Sequence, residues 1–141
     1  MDFEELMQQF LDMDDDIRVD LARETIEVMR NYLEENYGVT SAHHLVSLMF
    51  SVFCCVDGSI DYKEYEFFKV TTGVECSFEN FCESMQNGGN QHQIDELFDE
   101  ISDENEAFMQ DVFTLAVCVF TSNGTLTVSE QCFLEEYFLS N

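Results

Sequence analysis

Three carboxylates around one short turn are the side chains of this sequence best placed to do chemistry. Asp57, Asp61 and Glu64 flank Gly58 in the segment Asp-Gly-Ser-Ile-Asp-Tyr-Lys-Glu. Carboxylate oxygens are the ligands that hard divalent cations such as Ca²⁺, Mg²⁺ and Mn²⁺ prefer. The turn is therefore a candidate cation site, and no nucleophile or general-base pattern in the sequence is equally clear.

The same pattern occurs a second time, 66 residues further along the chain. The second copy, from Asn123 to Glu130, follows an apolar run and precedes an apolar pair, as the first copy does. Matched flanks of this kind indicate two related helix–turn–helix units. We therefore expect an internal pseudo-twofold repeat.

Both turns also have a purely structural interpretation. Asp61 with Glu64, and Thr127 with Glu130, have the spacing of a capping box, in which the two side chains satisfy the first backbone N–H groups of a helix. On this interpretation the pattern joins two helices and needs no ion.

The calcium loop of EF-hands tests the metal interpretation. With Gly58 at the sixth loop position, Glu64 falls at the twelfth, as that loop requires. Phe53 and Cys55 fall at the first and third positions, where oxygen ligands are needed. The turn is not an EF-hand on its own, and a cation would need ligands from elsewhere, of which the opposite repeat is one source.

The segment from Ser47 to Asp61, with Glu64 following, resembles the first signature of the tellurite-resistance TerB-like domains. That signature is an apolar helix followed by Asp-Gly-x-Ile-Asp and a Glu. The segment from Thr121 to Glu130 resembles the second signature. The resemblance covers residues 41–141 and leaves residues 1–38 as an N-terminal helical addition.

The resemblance implies an all-helical fold, divalent-metal binding, a stress response to toxic oxyanions and contact with membrane-associated complexes. By that resemblance, the metal ligands are Asp57, Asp61, Glu64 and Glu130. Asn123 stands where an Asp is usual.

Hydrophobic periodicity and capping residues predict an all-α bundle of about eight helices in one domain, residues 1–141. The predicted helices cover residues 2–12, 15–36, 41–56, 61–72, 77–87, 91–101, 104–121 and 128–139. Residues 112–120 have the composition of a strand, but Asp103 and Glu106 form a capping pattern ahead of them. We therefore assign them to a helix.

The charge of the chain limits its partners. There are 30 acidic and five basic residues, a net charge of -25, and no Lys or Arg follows Lys69. Such a chain cannot neutralise phosphates, so direct nucleic-acid binding is not expected, and neither is charge-driven binding to an anionic membrane. No apolar stretch reaches transmembrane length and no secretory segment is recognisable, so we expect a cytoplasmic protein without a transmembrane segment.

The six cysteines have no CxxC spacing, and we expect reduced thiols rather than a zinc site or disulfides. Cys54, Cys55, Cys118 and Cys132 lie in apolar stretches and are predicted to be in the core. Cys76 and Cys82 have more polar neighbours and are predicted to be more exposed.

Two surfaces are further candidates. A ridge of carboxylates at helical spacing is a second, weaker cation candidate: Glu96, Asp99, Glu100 and Asp103. We expect the Met and Phe side chains mainly in the core, with the alternative that an apolar stripe on the first helix forms an exposed docking surface: Phe3, Leu6, Met7 and Phe10.

No Ser/His/Asp triad and no phosphate-binding glycine loop can be argued from the spacing, so we expect no enzymatic activity. The predicted function is an acidic TerB-like module that binds a divalent cation weakly, has no organic cofactor, and contacts a protein partner, basic or membrane-associated, in a stress response. The alternative is an acidic interaction module, or a mimic of nucleic-acid charge, without metal.

Overall fold

The computed structural model describes residues 2–56, 58–88 and 91–139, and all regular structure in this part of the chain is helical. The eight α-helices are α1 (Phe3–Asp12), α2 (Asp15–Tyr37), α3 (Val39–Cys54), α4 (Tyr62–Thr72), α5 (Phe78–Gly88), α6 (Gln91–Ser102), α7 (Glu106–Thr121) and α8 (Val128–Leu134). A π-helical turn, Glu135–Leu139, continues α8. The predicted all-α fold and the number of helices are confirmed.

Helices α3 and α7 form the centre of the bundle. Both are apolar on almost every side, the pattern of a helix enclosed by others. They pack against each other, and α2 packs across both of them and against α4. Three Phe rings meet edge to face at this centre, with Phe53 5.9 Å from Phe120 and 6.0 Å from Phe133.

The apolar stripe of α1 faces the core, so the alternative of an exposed docking surface is wrong. Met7 and Phe10 are buried, and Phe3 and Leu6 are partly buried against the core. The cause lies in α2, where the buried Arg18 guanidinium donates to the carbonyl oxygens of Phe10 (2.6 Å) and Met13 (3.1 Å). These bonds hold the end of α1 to the bundle.

The cap of α7 is Asn105 and not Asp103. The Asn105 side chain accepts a hydrogen bond from the backbone N–H of Phe108, at 3.1 Å. Helix α6 continues to Ser102, and the N–H groups of Glu104 and Asn105 both return to the Ile101 carbonyl. Asp103 therefore lies in the turn that closes α6.

All six cysteines are thiols. Cys54 and Cys118 are buried as predicted, but Cys132 is exposed and Cys55 is partly buried. Cys76 and Cys82 are also partly buried. The prediction fails at Cys132 because α8 buries Phe133 and Leu134 on its inner side and turns Cys132 outward. Over the described residues, no helix combines the length and the apolar character needed to cross a bilayer.

Candidate functional site at the paired turns

The turn between α3 and α4 is closed by two backbone hydrogen bonds. Val56 donates to the Phe53 carbonyl (3.3 Å) and Gly58 donates to the Cys55 carbonyl (3.1 Å). Gly58 has a φ of 81°, in the left-handed region that glycine adopts without a Cβ clash. Asp57 lies outside the described residues.

The turn between α7 and α8 repeats these bonds at positions 66 residues later. Ser122 donates to the Val119 carbonyl (3.3 Å) and Gly124 donates to the Thr121 carbonyl (2.9 Å). The φ of Gly124 is 85°. The two turns thus share this pair of hydrogen bonds and a left-handed glycine.

Each turn ends in the capping box that the sequence predicts. Oδ1 of Asp61 accepts from the Glu64 N–H at 2.9 Å, and Oε1 of Glu64 accepts from the Asp61 N–H at 3.0 Å. Thr127 and Glu130 exchange the same two bonds, at 3.1 and 2.8 Å. These bonds satisfy N–H groups that have no partner inside their own helix.

The glutamates of the two boxes are buried. The exposed fraction is 3% for Glu64 and 1% for Glu130. A buried carboxylate is costly unless hydrogen bonds compensate for the lost water, and a helix N-terminus supplies both donors and a favourable dipole. Both carboxylates therefore have a structural role in addition to any role in binding.

A side-chain hydrogen bond connects the two turns. Nδ2 of Asn123 donates to Oδ2 of Asp61 at 2.6 Å. The amide orientation is fixed from the other end, because Oδ1 of Asn123 accepts from the N–H (3.1 Å) and the hydroxyl (2.9 Å) of Thr125. Asn123 thus directs its donor at the carboxylate of the other turn.

This bond gives a physical reason for asparagine at position 123. An aspartate here would face the Asp61 carboxylate at hydrogen-bond distance, and two such carboxylates are stable together only with a proton or cation between them. The Asn123 amide takes the place of that proton or cation, because it donates a hydrogen bond to the Asp61 carboxylate.

The four predicted ligands have different surroundings. The structure brings Asp61 and Glu64 together in the first capping box, while Glu130 belongs to the second box with Thr127. The described residues contain no group of three or more His, Cys, Asp or Glu side chains spaced to hold a metal ion. The position of Asp57, the remaining predicted ligand, is outside the described part.

The acidic ridge is exposed along α6. Its first member, Glu96, lies 2.9 Å from the exposed His92 ring. Next to the ridge, Asp95 accepts from the hydroxyl of Tyr137 at 2.7 Å. Burial of Tyr137, together with its bond to the Asp95 carboxylate, raises the pKa of this hydroxyl to about 12.

Two features of the site were not foreseen from the sequence. The donor role of Asn123 requires knowledge of which residue faces it, which local sequence does not contain. An open cleft beside α8, lined by Cys132 and Glu136 among others, encloses about 600 Å³. A sequence signal for it is the break between the short helices predicted at residues 77–87 and 91–101.

Comparison of this chain with protein-family models finds none that matches, and neither a curated protein nor a solved structure is significantly similar to it.

Proposed function

We propose that this chain is an acidic, non-enzymatic, TerB-like module built from two related helix–turn–helix units, which binds a divalent cation weakly at its paired turns and contacts a protein partner. The observation that carries the proposal is the Asn123–Asp61 hydrogen bond, which joins the two turns at 2.6 Å. A role in a stress response of the oxyanion type belongs to the same proposal through the family resemblance, and a cytoplasmic location is part of it as expected from the sequence.

The equivalence of the turns supports the two-unit architecture. Both turns have the same pair of backbone hydrogen bonds, a left-handed glycine and a capping box, each displaced by 66 residues. One turn alone would be a common way to join helices. A full set of matching bonds at a constant offset is more readily explained by a repeated unit.

The joined turns also supply oxygen atoms for a cation. A carboxylate oxygen can accept more than one hydrogen bond or ligand contact, and each oxygen of Asp61 has one hydrogen bond from the two donors named above. The Asp61 carboxylate therefore retains capacity for a hard cation. Under the proposal Asp57, Glu64 and Glu130 supply the remaining oxygens, as the family resemblance implies.

An interaction module without metal is the second candidate. It is favoured by the two capping boxes, which account structurally for Asp61, Glu64 and Glu130. The net charge of -25 would then be the main determinant of partner choice, because it attracts basic proteins and repels acidic ones.

Calorimetric titration of chelator-stripped protein with Ca²⁺, Mg²⁺, Mn²⁺ and Zn²⁺ distinguishes the two candidates. The turn variant carries Asp57→Asn and Glu64→Gln, since Gln can still accept the capping hydrogen bond. The matched control carries Asp99→Asn and Glu100→Gln, which remove the same charge from the exposed ridge.

Saturable binding that the turn variant loses and the ridge variant keeps would support the cation site. Binding that is unchanged in the turn variant would contradict it. Salt-sensitive capture of a basic partner that chelator does not affect would favour the interaction module without metal.

A further inference from the structure

Two clefts of the bundle are lined by residues that correspond at an offset of 66. The first, which we call the α4 cleft, takes five of its lining residues from α4 and the end of α7: Lys63, Glu66, Phe67, Val70 and Ser122. The second, which we call the α8 cleft, takes five from α8, the π-helical turn and the end of α3: Ser129, Cys132, Phe133, Glu136 and Val56. Each residue of one set has its counterpart in the other, so the clefts are the same groove in the two proposed units.

The N-terminal part of α2 occupies the α4 cleft. Asp15, Arg18 and Val19 complete its lining and leave a space of about 200 Å³. Arg18 is 2% exposed and its Nε donates to Oγ1 of Thr121 at 3.2 Å. One and a half turns later, Arg23 donates from Nε and Nη2 to the Val70 carbonyl, at 3.0 and 2.8 Å. Two arginines of one helix thus anchor it in this groove.

No arginine-bearing helix lies along the α8 cleft in this way, although Gln86 of α5 and Gln91 of α6 contribute to its lining. When residues 66 apart are compared, α6 corresponds to α2. Helix α2 begins at Asp15, but α6 begins only at Gln91, which is the counterpart of Thr25. The counterparts of residues 15–22 belong to α5, which packs against α3 and α4. The Met85 carbonyl of α5 accepts from the hydroxyl of Ser51 and holds α5 beside α3. The groove is consequently open and encloses about 600 Å³, three times the space left in the α4 cleft.

The charge around the α8 cleft defines what would fill it. Among the described residues that line it none is basic, and no Lys or Arg occurs after position 69. Glu136 is the counterpart of Val70 at the offset of 66. In the α4 cleft the Val70 carbonyl accepts from Arg23, whereas the α8 cleft has a carboxylate at the equivalent position. A second copy of this chain is an unsuitable occupant because two molecules with a net charge of -25 repel each other.

We propose that the α8 cleft is the docking site for a basic amphipathic helix of a partner protein, which places an arginine at Glu136 as α2 places Arg23 at the Val70 carbonyl in the equivalent groove. At the offset of 66, α6 begins ten residues later than α2, so the docked helix would have about three turns and a length of roughly 15 Å. The proposal rests on the repeat relationship proposed above and defines the chemistry of the partner.

A peptide copied from α2 tests the proposal with the full chain. The fluorescent probe comprises residues 14–26 with Asp16→Lys, Asp20→Lys and Glu24→Lys, three exposed positions spaced four apart that lie on one side of the helix. Its control carries Arg23→Ala in addition. Binding is measured by fluorescence anisotropy in the presence of chelator, so that it is independent of the cation site.

Three protein variants accompany the wild type. Ser129→Trp fills the groove from an exposed position, Glu136→Gln removes the carboxylate, and Glu135→Gln is the matched control because Glu135 is exposed and does not line the cleft. Circular dichroism establishes that each variant retains its helices. We expect saturable binding that Ser129→Trp weakens by at least about tenfold, as for a central anchor of an interface. Glu136→Gln and the Arg23→Ala probe should each weaken binding about two- to fivefold, as for an exposed ion pair, and Glu135→Gln should leave it unchanged.

Absence of saturable binding, or binding that Ser129→Trp does not weaken, would overturn the proposal. Self-association of the wild type that Ser129→Trp abolishes, measured by sedimentation, would also overturn it, since the occupant would then be a second copy. The metal titration is an independent result: loss of peptide binding with cation binding intact rejects the docking site alone.

Discussion

Nδ2 of Asn123 lies 2.6 Å from Oδ2 of Asp61, so a hydrogen bond between residues that are 62 apart in the chain ties the two turns together. Asp61 is also the N-cap of α4, and its other oxygen accepts from the Glu64 N–H. The same carboxylate therefore starts a helix and holds the opposite turn. Mutation of the residues that contact Asp61 is therefore the most direct test of how the turns are held together.

Asn123→Asp should destabilise the protein by about 1.5–3 kcal/mol in chelator, because a charged hydrogen bond is lost and a second carboxylate faces Asp61. A divalent cation should restore part of this loss by neutralising the two carboxylates. Urea unfolding with chelator and with Ca²⁺ or Mg²⁺ measures both effects.

Asn105→Asp is the matched control for this variant. It makes the same chemical change at the N-cap of α7, where Asp and Asn are about equally favourable, so little change is expected. Equal stability of Asn123→Asp and wild type in chelator would show that the bond between the turns contributes nothing.

Thr127→Ala should cost about 1 kcal/mol, since it removes the acceptor for the Glu130 N–H in the second capping box. Thr127→Ser retains the hydroxyl and should be close to wild type. Denaturant unfolding of the three proteins measures the difference. If Thr127→Ala and Thr127→Ser unfolded at the same denaturant concentration, the stabilising role assigned to this cap would be contradicted.

Local sequence determined most of the helix boundaries because their signals are themselves local. The capping boxes at Asp61 and Thr127 and the cap at Ser77, which accepts from the Asn80 N–H at 3.1 Å, each involve residues three apart. Such pairs can be recognised without knowledge of the fold. The all-α fold follows from the same signals combined with hydrophobic periodicity.

Features that depend on tertiary packing were predicted poorly. The α1 stripe resembled a docking surface, but Arg18, 8 residues after Phe10, ties α1 to α2 and turns the stripe inward. Cys132 lies in an apolar stretch, yet the short α8 buries only its inner side. The Asn123–Asp61 bond spans 62 residues and has no local signal. In each of these cases the position of a side chain depends on which residues contact it in the folded protein, and residue type alone does not reveal those contacts.

Arg18→Lys should destabilise the protein by about 1–3 kcal/mol, although the charge is kept. The planar guanidinium donates at once to Thr121 Oγ1 and to the carbonyls of Phe10 and Met13, a set of directions that a single ammonium cannot reproduce. Hydrogen exchange should increase first in α1, whose end these bonds hold.

Arg23→Lys is the control for Arg18→Lys, because Arg23 is exposed and contacts a single carbonyl. It should leave both stability and exchange in α1 near the wild-type values. Exchange in α1 that is the same in the Arg18 and Arg23 variants would contradict the role assigned to Arg18.

The Tyr137 hydroxyl should make stability depend on pH in alkaline solution. Its pKa is raised in the folded protein from an ordinary value of 10.0 to about 12, first by burial and then by the bond to Asp95. Between these values the folded state retains the proton that the unfolded state has lost, so stability decreases as the pH rises. The contribution is complete below the unfolded pKa and is lost as the pH passes through the folded one.

The absorbance of tyrosinate, compared between wild type and Tyr137→Phe, measures the pKa of this hydroxyl alone. Asp95→Asn should lower the pKa of Tyr137. Asp99→Asn, one turn away on the ridge, should leave it unchanged. A pKa of Tyr137 that does not respond to Asp95→Asn would show that the carboxylate is not its partner in solution.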